Sequence, residues 1–446
     1  GKHMQKYFFS TNSNTISIHY QLHNRSINVY PAKSLCEKYG ITLLSYMHNH
    51  WQIINCWFSS KPKINIIVEL SRFFTEAELS SCPAFLLILP EYADIENLHI
   101  EAESQASFKS MPHPDYVCTD LFQTNNLVFG AINWNHNKSF EKYMNVTTEE
   151  FSSLSIGAQK EFHNLSANTS GCYLEFITQS PFVHITAKLG RDREYIKIPF
   201  GASHGFDIYE KPYNETEFLH RECFAPSIDS NYADFEFVHN VESIIRIYLP
   251  LYNTIHSLSI ETLYGDIKAT NAPKKRAVFY GNSITQGASA TRPGMSFVNI
   301  LSQKSDWEII NYSLSSCCKA FSSIAHDIAA LDTDYIFLDY SRNAWSKEEL
   351  ATNLSNFYFI IRSKKPTVPV IFLTTACFNS EILYRDYDNI INNVYLAAKA
   401  NNESVYLINQ KNLFTPGEYA ICCNDGEHYT DYGMQKVANA ILKLPL

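Results

Sequence analysis

Residues 280–287 (YGNSITQG) and residues 425–428 (DGEH) contain the residue types that acyl-transfer chemistry requires. A serine hydroxyl is a weak nucleophile at neutral pH, so it needs an imidazole to take its proton and a carboxylate to hold that imidazole in one tautomer. Ser283, His428 and Asp425 supply these three groups. We therefore predict that Ser283 is a nucleophile, that His428 is its general base and that Asp425 orients the base.

The flanking sequence indicates how these side chains would be positioned. Residues 276–280 (RAVFY) form a short apolar run typical of a buried strand, and Gly281 permits a tight turn directly after it. Residues 432–444 carry apolar side chains at helical spacing, which predicts a final helix just after DGEH. The serine and the histidine would then meet at one edge of a sheet. The alternative for Asp425 is that it merely caps the final helix.

Four segments of residues 274–446 resemble, in the family's order, the sequence blocks of the SGNH/GDSL hydrolase superfamily. They are GNSITQG, NYSLSSCC, DYSRNA and DGEH, which begin at residues 281, 311, 339 and 425. The resemblance implies that the amides of Ser283 and Ser316 and the side chain of Asn343 form an oxyanion hole. Fixed donors of this kind stabilise the charge of a tetrahedral intermediate.

Four positions depart from the family's pattern, among them Tyr429, where proline commonly follows the histidine, and Ala344, where aspartate often follows the asparagine. Ser316 replaces the usual glycine, so the donor amide is kept, but its side chain would be strained at positive φ and would narrow the hole. Asn282 stands where the family usually has aspartate, and we treat it as a candidate substrate contact outside the triad. These departures keep a degraded, non-catalytic protein open as an alternative.

A second resemblance covers residues 151–266. This segment is similar to the amino-terminal part of one SGNH branch, marked by a Gly-x-Asp-Leu-Tyr signature that reads GFDIY at 205–209. Alternating runs such as YLEFITQ and IRIYLPLY independently predict a β-sandwich. His204 and Asp207 are candidates for shaping the substrate cleft. The alternative is a structural role for both at the boundary with the catalytic part.

Arg292 lies shortly after the candidate nucleophile, in the run ATRPGMSF. A guanidinium so close to the active centre could hold a carboxylate or polar group of the substrate by paired hydrogen bonds. The alternative is that Arg292 ties its own loop to a neighbouring acid or carbonyl.

The chain of 446 residues, 45% of them hydrophobic, is long enough for about three domains. We expect an amino-terminal region (1–115) forming a small α+β module, with a short helix at 31–40. We also expect a central region (116–270) forming a jelly-roll-like β-sandwich, and a carboxyl-terminal region (274–446) forming a three-layer α/β/α domain on a mainly parallel sheet. The role of the amino-terminal region stays open among substrate recognition, protein-partner binding and stabilisation of its neighbour.

Charge, hydropathy and cysteine content indicate which partners and which cellular compartment to expect. The net charge is −9 and the longest basic cluster spans 274–276, so nucleic acid is not an expected partner. The apolar runs are too short to span a bilayer, so we expect no membrane association. Eleven cysteines without CxxC spacing favour a reducing compartment, and we expect a cytoplasmic protein. Because the opening GKHM resembles an expression remnant, a removed signal peptide stays an alternative.

The expected reaction is hydrolysis of a carboxylic ester through an acyl-serine intermediate, without cofactor or metal. The family analogy suggests a small acyl group, such as acetyl, on a carbohydrate or secondary metabolite. Two alternatives remain open: an acyltransferase that uses the same triad, and a non-catalytic binding module.

Overall fold

The structure, a computed structural model, is described in ranges that cover most of the chain. The described residues are 4–21, 40–58, 63–89, 95–124, 126–132, 134, 142, 145–190, 197–239, 241–380, 382 and 384–446. Within these ranges, no helix combines the length and the apolar content needed to cross a membrane.

The amino-terminal region contains two antiparallel sheets that share one apolar core. Its strands are β1 (Gln5–Thr11), β2 (Thr15–Gln21), β3 (Gly40–Met47), β4 (His50–Phe58), β5 (Lys63–Glu69), β6 (Ala84–Leu89), β7 (His99–Ala102) and β8 (Phe108–Ser110). The sheet orders are β4-β3-β6-β1-β8 and β5-β2-β7. Phe9 and Leu87 of the first sheet pack with Ile16 and Ile18 of the second.

Helical structure in the described part of the amino-terminal region is short. It consists of α1 (Glu76–Ser80) and the 3-10 turns Leu70–Arg72 and Ile95–Asn97. The helix predicted at 31–40 falls almost entirely outside the described residues. The described part is therefore richer in sheet than the expected α+β module.

The central region is built from two antiparallel sheets packed face to face. Its strands are β9 (Tyr116–Asp120), β10 (Val128–Phe129), β11 (Tyr173–Ile177), β12 (Phe182–Leu189), β13 (Phe206–Pro212), β14 (Leu219–Phe224), β15 (Tyr232–Val238), β16 (Ser243–Tyr248), β17 (Ile255–Leu263) and β18 (Lys268–Ala269). One sheet has the order β10-β11-β16-β13-β14, with β18 beside β11, and the other has the order β15-β12-β17-β9. Leu174 and Ile247 of the first sheet share a buried core with Ile185 and Ile260 of the second. The helices α2 (Thr148–Ser153), α3 (Ile156–Ser166) and α4 (Phe200–His204) complete this region.

The carboxyl-terminal region has a parallel sheet with the order β20-β19-β21-β22-β23. These strands are β19 (Lys275–Gly281), β20 (Trp307–Asn311), β21 (Tyr335–Asp339), β22 (Val370–Leu373) and β23 (Val405–Ile408). The apolar run at 276–280, predicted to be a buried strand, lies in β19. The side chains of the five strands are mostly buried, as in a sheet covered by helices.

Helices alternate with these strands. They are α5 (Ser283–Gln286), α6 (Phe297–Lys304), α7 (Ser322–Ala330), α8 (Lys347–Lys364), α9 (Arg385–Ala400), α10 (Tyr419–Cys422) and α11 (Asp431–Leu442), with 3-10 turns at Pro293–Met295, Ser341–Asn343, Gln410–Leu413 and Pro416–Glu418. α6 packs on α11, and α8 packs between α7 and α9.

Buried polar contacts join the central region to the carboxyl-terminal region. Arg246 of β16 donates to the carbonyl oxygen of Ser302 in α6 at 2.8 Å and to the carboxylate of Glu175 at 2.6 Å. The hydroxyl of Tyr248 bonds that of Ser302 at 2.6 Å. A buried guanidinium is tolerable only when it is paired in this way, so the contact fixes the sandwich against the parallel sheet's helices.

Candidate active site

Three loops leave the same edge of the parallel sheet side by side. Strand β19 lies between β20 and β21, and the paired residues run to the carboxyl end of each strand. Because parallel strands end at one edge, the segments that follow them begin together. These segments carry Ser283 after β19, Ser316 after β20 and Asn343 after β21.

The predicted triad residues form a continuous series of hydrogen bonds. Ser283 Oγ lies 2.8 Å from His428 Nε2, and His428 Nδ1 lies 2.8 Å from Asp425 Oδ2. One ring nitrogen therefore faces the hydroxyl and the other faces the carboxylate. This is the arrangement in which an imidazole with its proton on Nδ1 accepts the serine proton.

Asp425 is held by several donors. Its Oδ1 accepts from the amides of His428 at 2.8 Å and Glu427 at 3.1 Å, and its Oδ2 accepts from Lys197 Nζ at 3.2 Å. Burial opposes ionisation of this carboxyl, but hydrogen bonds from the amide and ring of His428 outweigh it and lower the pKa of Asp425. The carboxylate therefore stays charged at neutral pH and favours the protonated imidazole that forms during catalysis.

Asp425 does not cap the final helix. Helix α11 begins at Asp431, and Thr430 is its N-cap, accepting from the amide of Gly433. The capping alternative raised from the sequence is therefore wrong, because another residue already satisfies the first turn of that helix.

The backbone around Ser283 is fixed from two sides. Asn282 is fully buried, and its Oδ1 accepts from the amide of Ile284 at 2.9 Å, so it is the N-cap of α5. From the central region, the hydroxyl of Tyr252 donates to the carbonyl oxygen of Ser283 at 3.3 Å. The burial of Asn282 favours a capping role over the substrate contact considered from the sequence.

The loop after β20 presents Ser316 in the left-handed region, with φ of 62°. This is the conformation for which glycine is the usual residue, and it strains a serine side chain. Gln286 holds the loop, because its Oε1 accepts from the amide of Ser315 at 2.9 Å while its Nε2 donates to the carbonyl oxygen of Leu251 at 3.2 Å. The buried side-chain amide of Gln286 thus connects Leu251 of the central region to the proposed oxyanion loop.

Asn343 ends the 3-10 turn after β21. Its carbonyl oxygen accepts from Lys319 Nζ, while its Oδ1 is buried and has no hydrogen-bond partner among the described residues. The neighbouring Arg342 donates to Glu427, which adjoins His428 and so joins this turn to the histidine loop. Because an amide oxygen only accepts hydrogen bonds, the group that could donate to a substrate oxyanion is the Asn343 Nδ2 amide. The oxyanion role of Asn343 stays a prediction.

Arg292 and Asp207 contact each other. Arg292 Nη1 donates to Asp207 Oδ2 at 2.9 Å and also to the hydroxyl of Tyr209. The same oxygen of Asp207 accepts from the amide of Gly294 at 2.7 Å, and its other oxygen lies 2.7 Å from His220 Nε2. With the Asp207 side chain fully buried, the signature residues tie the loop after the nucleophile to the sandwich. The structure therefore favours the structural alternative for both Arg292 and Asp207.

His204 is also buried, with 1% of its surface exposed. Its ring stacks on Phe200 at 4.2 Å, and its Nδ1 lies 2.6 Å from the hydroxyl oxygen of Ser203. This packing favours a structural role for His204 over a contact with substrate.

Four residues of the site were not anticipated from the sequence: Lys197, Tyr252, Gln286 and Arg342. Gln286 and Arg342 lie inside the matched segments, so a closer reading of those segments could have found them. Lys197 and Tyr252 come from the central region, where no spacing or motif connects them to the triad.

Comparisons with known proteins identify the family of the chain. Residues 274–444 match the family model of the GDSL-like lipases/acylhydrolases, and residues 133–266 match the model named GxDLY, the N-terminus of SGNH-hydrolase-type esterases. A search of curated proteins found no significant match.

Two solved structures are similar to this chain over about three quarters of its length. A protein from Bacteroides ovatus ATCC 8483 described as a GDSL-like lipase is 25% identical, with 73% of this chain and 96% of that one covered and a TM-score of 0.60. A salicylyl-acyltransferase from a tetracycline biosynthetic pathway is 15% identical, with 74% and 98% covered and a TM-score of 0.59, which shows the fold alone. The chain belongs to the SGNH/GDSL hydrolases, in the branch with the GxDLY signature, and is a serine hydrolase of that type.

Proposed function

We propose that the protein hydrolyses a carboxylic ester through an acyl-serine intermediate. The observation that supports this most directly is the hydrogen-bonded series from Ser283 Oγ through the ring of His428 to Asp425, with 2.8 Å at each step. A serine without such a base does not react at useful rates.

The geometry suggests the following sequence of steps. Ser283 Oγ attacks the ester carbonyl carbon while His428 Nε2 takes its proton, and Asp425 stabilises the imidazolium. The tetrahedral oxyanion accepts hydrogen bonds from the amides of Ser283 and Ser316 and from Asn343. When the intermediate collapses, the C–O bond to the alcohol breaks and the alcohol leaves with the proton from His428. Water then attacks the acyl-serine while His428 takes its proton. Collapse of this second intermediate releases the acid and returns the proton to Ser283 Oγ.

We further propose a small acyl group, such as acetyl, on a carbohydrate or a ring-bearing secondary metabolite. Ser316 is exposed, and its side chain takes more space in the proposed oxyanion loop than the glycine usual there, which favours a small acyl group. For the alcohol, our candidate contact is Trp345, which lies two residues after Asn343 and has 65% of its surface exposed. The ammonium of Lys319 lies 4.2 Å from the centre of the Trp345 ring and also bonds the carbonyl oxygen of Asn343. An exposed indole held at this place offers a flat apolar face to a sugar or aromatic ring.

Acyl transfer to an acceptor other than water is the second candidate. It needs the same triad, and this chain shares its fold with an enzyme that transfers a salicylyl group. The two reactions differ only in the group that attacks the acyl-serine.

A fluorophosphonate probe tests the serine chemistry directly. We expect one adduct by intact mass, lost in Ser283→Ala and kept in the matched control Ser315→Ala, which removes a neighbouring hydroxyl that has no base. Retention of the adduct in Ser283→Ala would contradict the assignment.

A panel of esters tests the substrate. We expect p-nitrophenyl acetate to be cleaved faster than the octanoate, and Trp345→Ala to raise KM for an acetylated sugar while sparing p-nitrophenyl acetate. Product analysis with added alcohols separates hydrolysis from transfer, because a transferase would form a new ester in preference to free acid.

A further inference from the structure

A buried series of hydrogen bonds connects the nucleophile's helix to the histidine loop by a route separate from the triad. Thr285 Oγ1 donates to Asp339 Oδ2 at 2.7 Å, and Gln410 Nε2 lies 3.4 Å from Asp339 Oδ1. The hydroxyl of Tyr429 donates to Gln410 Oε1 at 2.6 Å. Thr285 and Tyr429 therefore stand at the two ends of this series, which we call the Asp339 network (Thr285, Asp339, Gln410 and Tyr429).

The ends of the Asp339 network adjoin the reacting groups. Thr285 is two residues after Ser283 in α5, and Tyr429 directly follows His428. We propose that the Asp339 network is a positioning device that sets the separation of Ser283 Oγ from His428 Nε2. The proposal rests on the proposed function, because it concerns the efficiency of that same triad.

The two segments that carry Ser283 and His428 contain little regular structure. Helix α5 has four residues, too few to hold a fixed orientation by its own hydrogen bonds. His428 lies in an irregular loop, which is held by backbone bonds such as that from the amide of Asn424 to the carbonyl oxygen of His428 at 2.9 Å and by the contacts of Asp425 and Glu427 described above. Catalysis is sensitive to the placement of groups at the level of about 1 Å. A buried connection between the segments would fix that placement.

The strand packing brings the partners of the Asp339 network within reach. A Cβ added to Gly281 would come within 2.6 Å of Thr285 Oγ1 and 3.1 Å of the Asp339 Cβ. Only glycine therefore lets the end of β19 approach both side chains closely. Gln410 is held in turn by Thr374 at the end of β22, because its Nε2 donates to the Thr374 carbonyl oxygen at 2.6 Å.

The choice of a carboxyl group at position 339 is costly for stability. Burial raises the pKa of Asp339 to about 7, since only the hydrogen bonds from Thr285 and Gln410 oppose it. A neutral side chain could fill the same space with less penalty. Departures of this kind from the rules of core formation are concentrated at functional sites.

Breaking the Asp339 network at either end tests the proposal. We expect Thr285→Val and Tyr429→Phe each to lower kcat between about ten- and a hundredfold with KM within about twofold of wild type. The double variant should be little worse than either single variant, because one break already releases the connection. Thr285→Ser, which keeps the hydroxyl, should restore kcat.

Tyr358→Phe is the matched control. It removes a similar tyrosine hydroxyl, which accepts from Arg362 Nε at 3.0 Å and bonds Glu403 just before β23, at the edge of the sheet opposite the triad. We expect this variant to lower the melting temperature with kcat unchanged. If Tyr429→Phe behaves in the same way, or if the two end variants multiply in their effect on kcat, the Asp339 network does not position the triad.

The rate of fluorophosphonate labelling separates this proposal from the proposed function. It reports the reactivity of Ser283 without reference to any ester. Absence of labelling in the wild type would overturn the proposed function itself. Normal labelling of the wild type together with wild-type rates in the two end variants would overturn only the positioning role.

Discussion

Among the aspartate–histidine pairs of the described residues, two of nearly equal length lie in different regions of the molecule. Asp425 and His428 are 2.8 Å apart in the carboxyl-terminal region, and Asp207 and His220 are 2.7 Å apart in the central region. The first carboxylate is 18% exposed and the second is fully buried. The pair alone therefore does not define a catalytic site.

The two pairs differ in which ring nitrogen faces the carboxylate and in their further hydrogen-bond partners. His428 uses Nδ1 for the carboxylate and turns Nε2 toward Ser283, whereas His220 uses Nε2 for Asp207. The second oxygen of Asp207 is taken by Arg292 and a backbone amide. The first pair thus has the geometry that proton transfer requires. In the second pair, Asp207 is a buried carboxylate whose bonds to Arg292 and to a backbone amide join the two regions.

The largest expected effect comes from removing the two histidines. We expect His428→Ala to lower kcat about 10⁴-fold or more, close to Ser283→Ala, because triad members act as a unit. His220→Ala should leave kcat within a few-fold and lower the melting temperature instead. Ester hydrolysis and thermal unfolding of both variants check this. Equal loss of activity in the two variants would remove the distinction between the pairs.

Asn343→Ala sharpens the comparison on the catalytic side. We expect kcat to fall about a hundredfold with little change in KM, because an oxyanion donor acts only as charge develops. Asn356→Ala, which removes an exposed amide in α8 that bonds Ser322, is the matched control and should be silent. A rise in KM alone would place Asn343 in binding of the ground state.

Arg292→Ala tests the structural pair. Removing the guanidinium leaves the buried Asp207 carboxylate without its cation, which typically costs about 3–5 kcal/mol. We expect a melting temperature lower by several degrees and equal losses for a natural substrate and p-nitrophenyl acetate. Arg72→Ala breaks an exposed pair with Glu69 and should have almost no effect. Selective loss of the natural substrate would instead assign Arg292 to substrate binding.

The smallest expected effect concerns Asp339, a buried carboxyl paired with neither histidine nor arginine among its described contacts. Its pKa is raised from 3.8 to about 7, so between these pH values the unfolded chain releases the proton and the folded chain keeps it. The stability of the wild type therefore falls as the pH rises through this window. Asp339→Asn removes that loss, so its stability relative to wild type should increase between pH 4 and pH 7. Urea midpoints at both pH values check this, and a constant difference would contradict it.

Much of the catalytic part could be predicted from local patterns. The apolar run at 276–280 lies in β19, and the segment with helical spacing at 432–444 largely coincides with α11. Residue periodicity is a local property of the chain, so strands and helices can be predicted from it without knowledge of the tertiary contacts. The positions of Ser283, Asp425 and His428 followed from types and spacing in the same way.

The partners of the charged groups could not be predicted. Arg292 was considered for substrate binding because it lies near the nucleophile, yet its carboxylate partner, Asp207, belongs to a strand of the other region. Tyr252 and Lys197 reach Ser283 and Asp425 from the sandwich with no signal in the sequence. Such contacts depend on how two regions pack, not on any local repeat.

The sequence by itself determined the residue types of the candidate triad, the buried strand before Ser283 and the helix after His428. Only the tertiary structure showed that Asp207 pairs with Arg292 and that the Asp425 carboxylate bonds the ring of His428. The physical reason is that a carboxylate's role is set by the donors within about 3 Å of it. At Asp207 the guanidinium donor comes from another region of the chain, and at Asp425 one donor, Lys197, does.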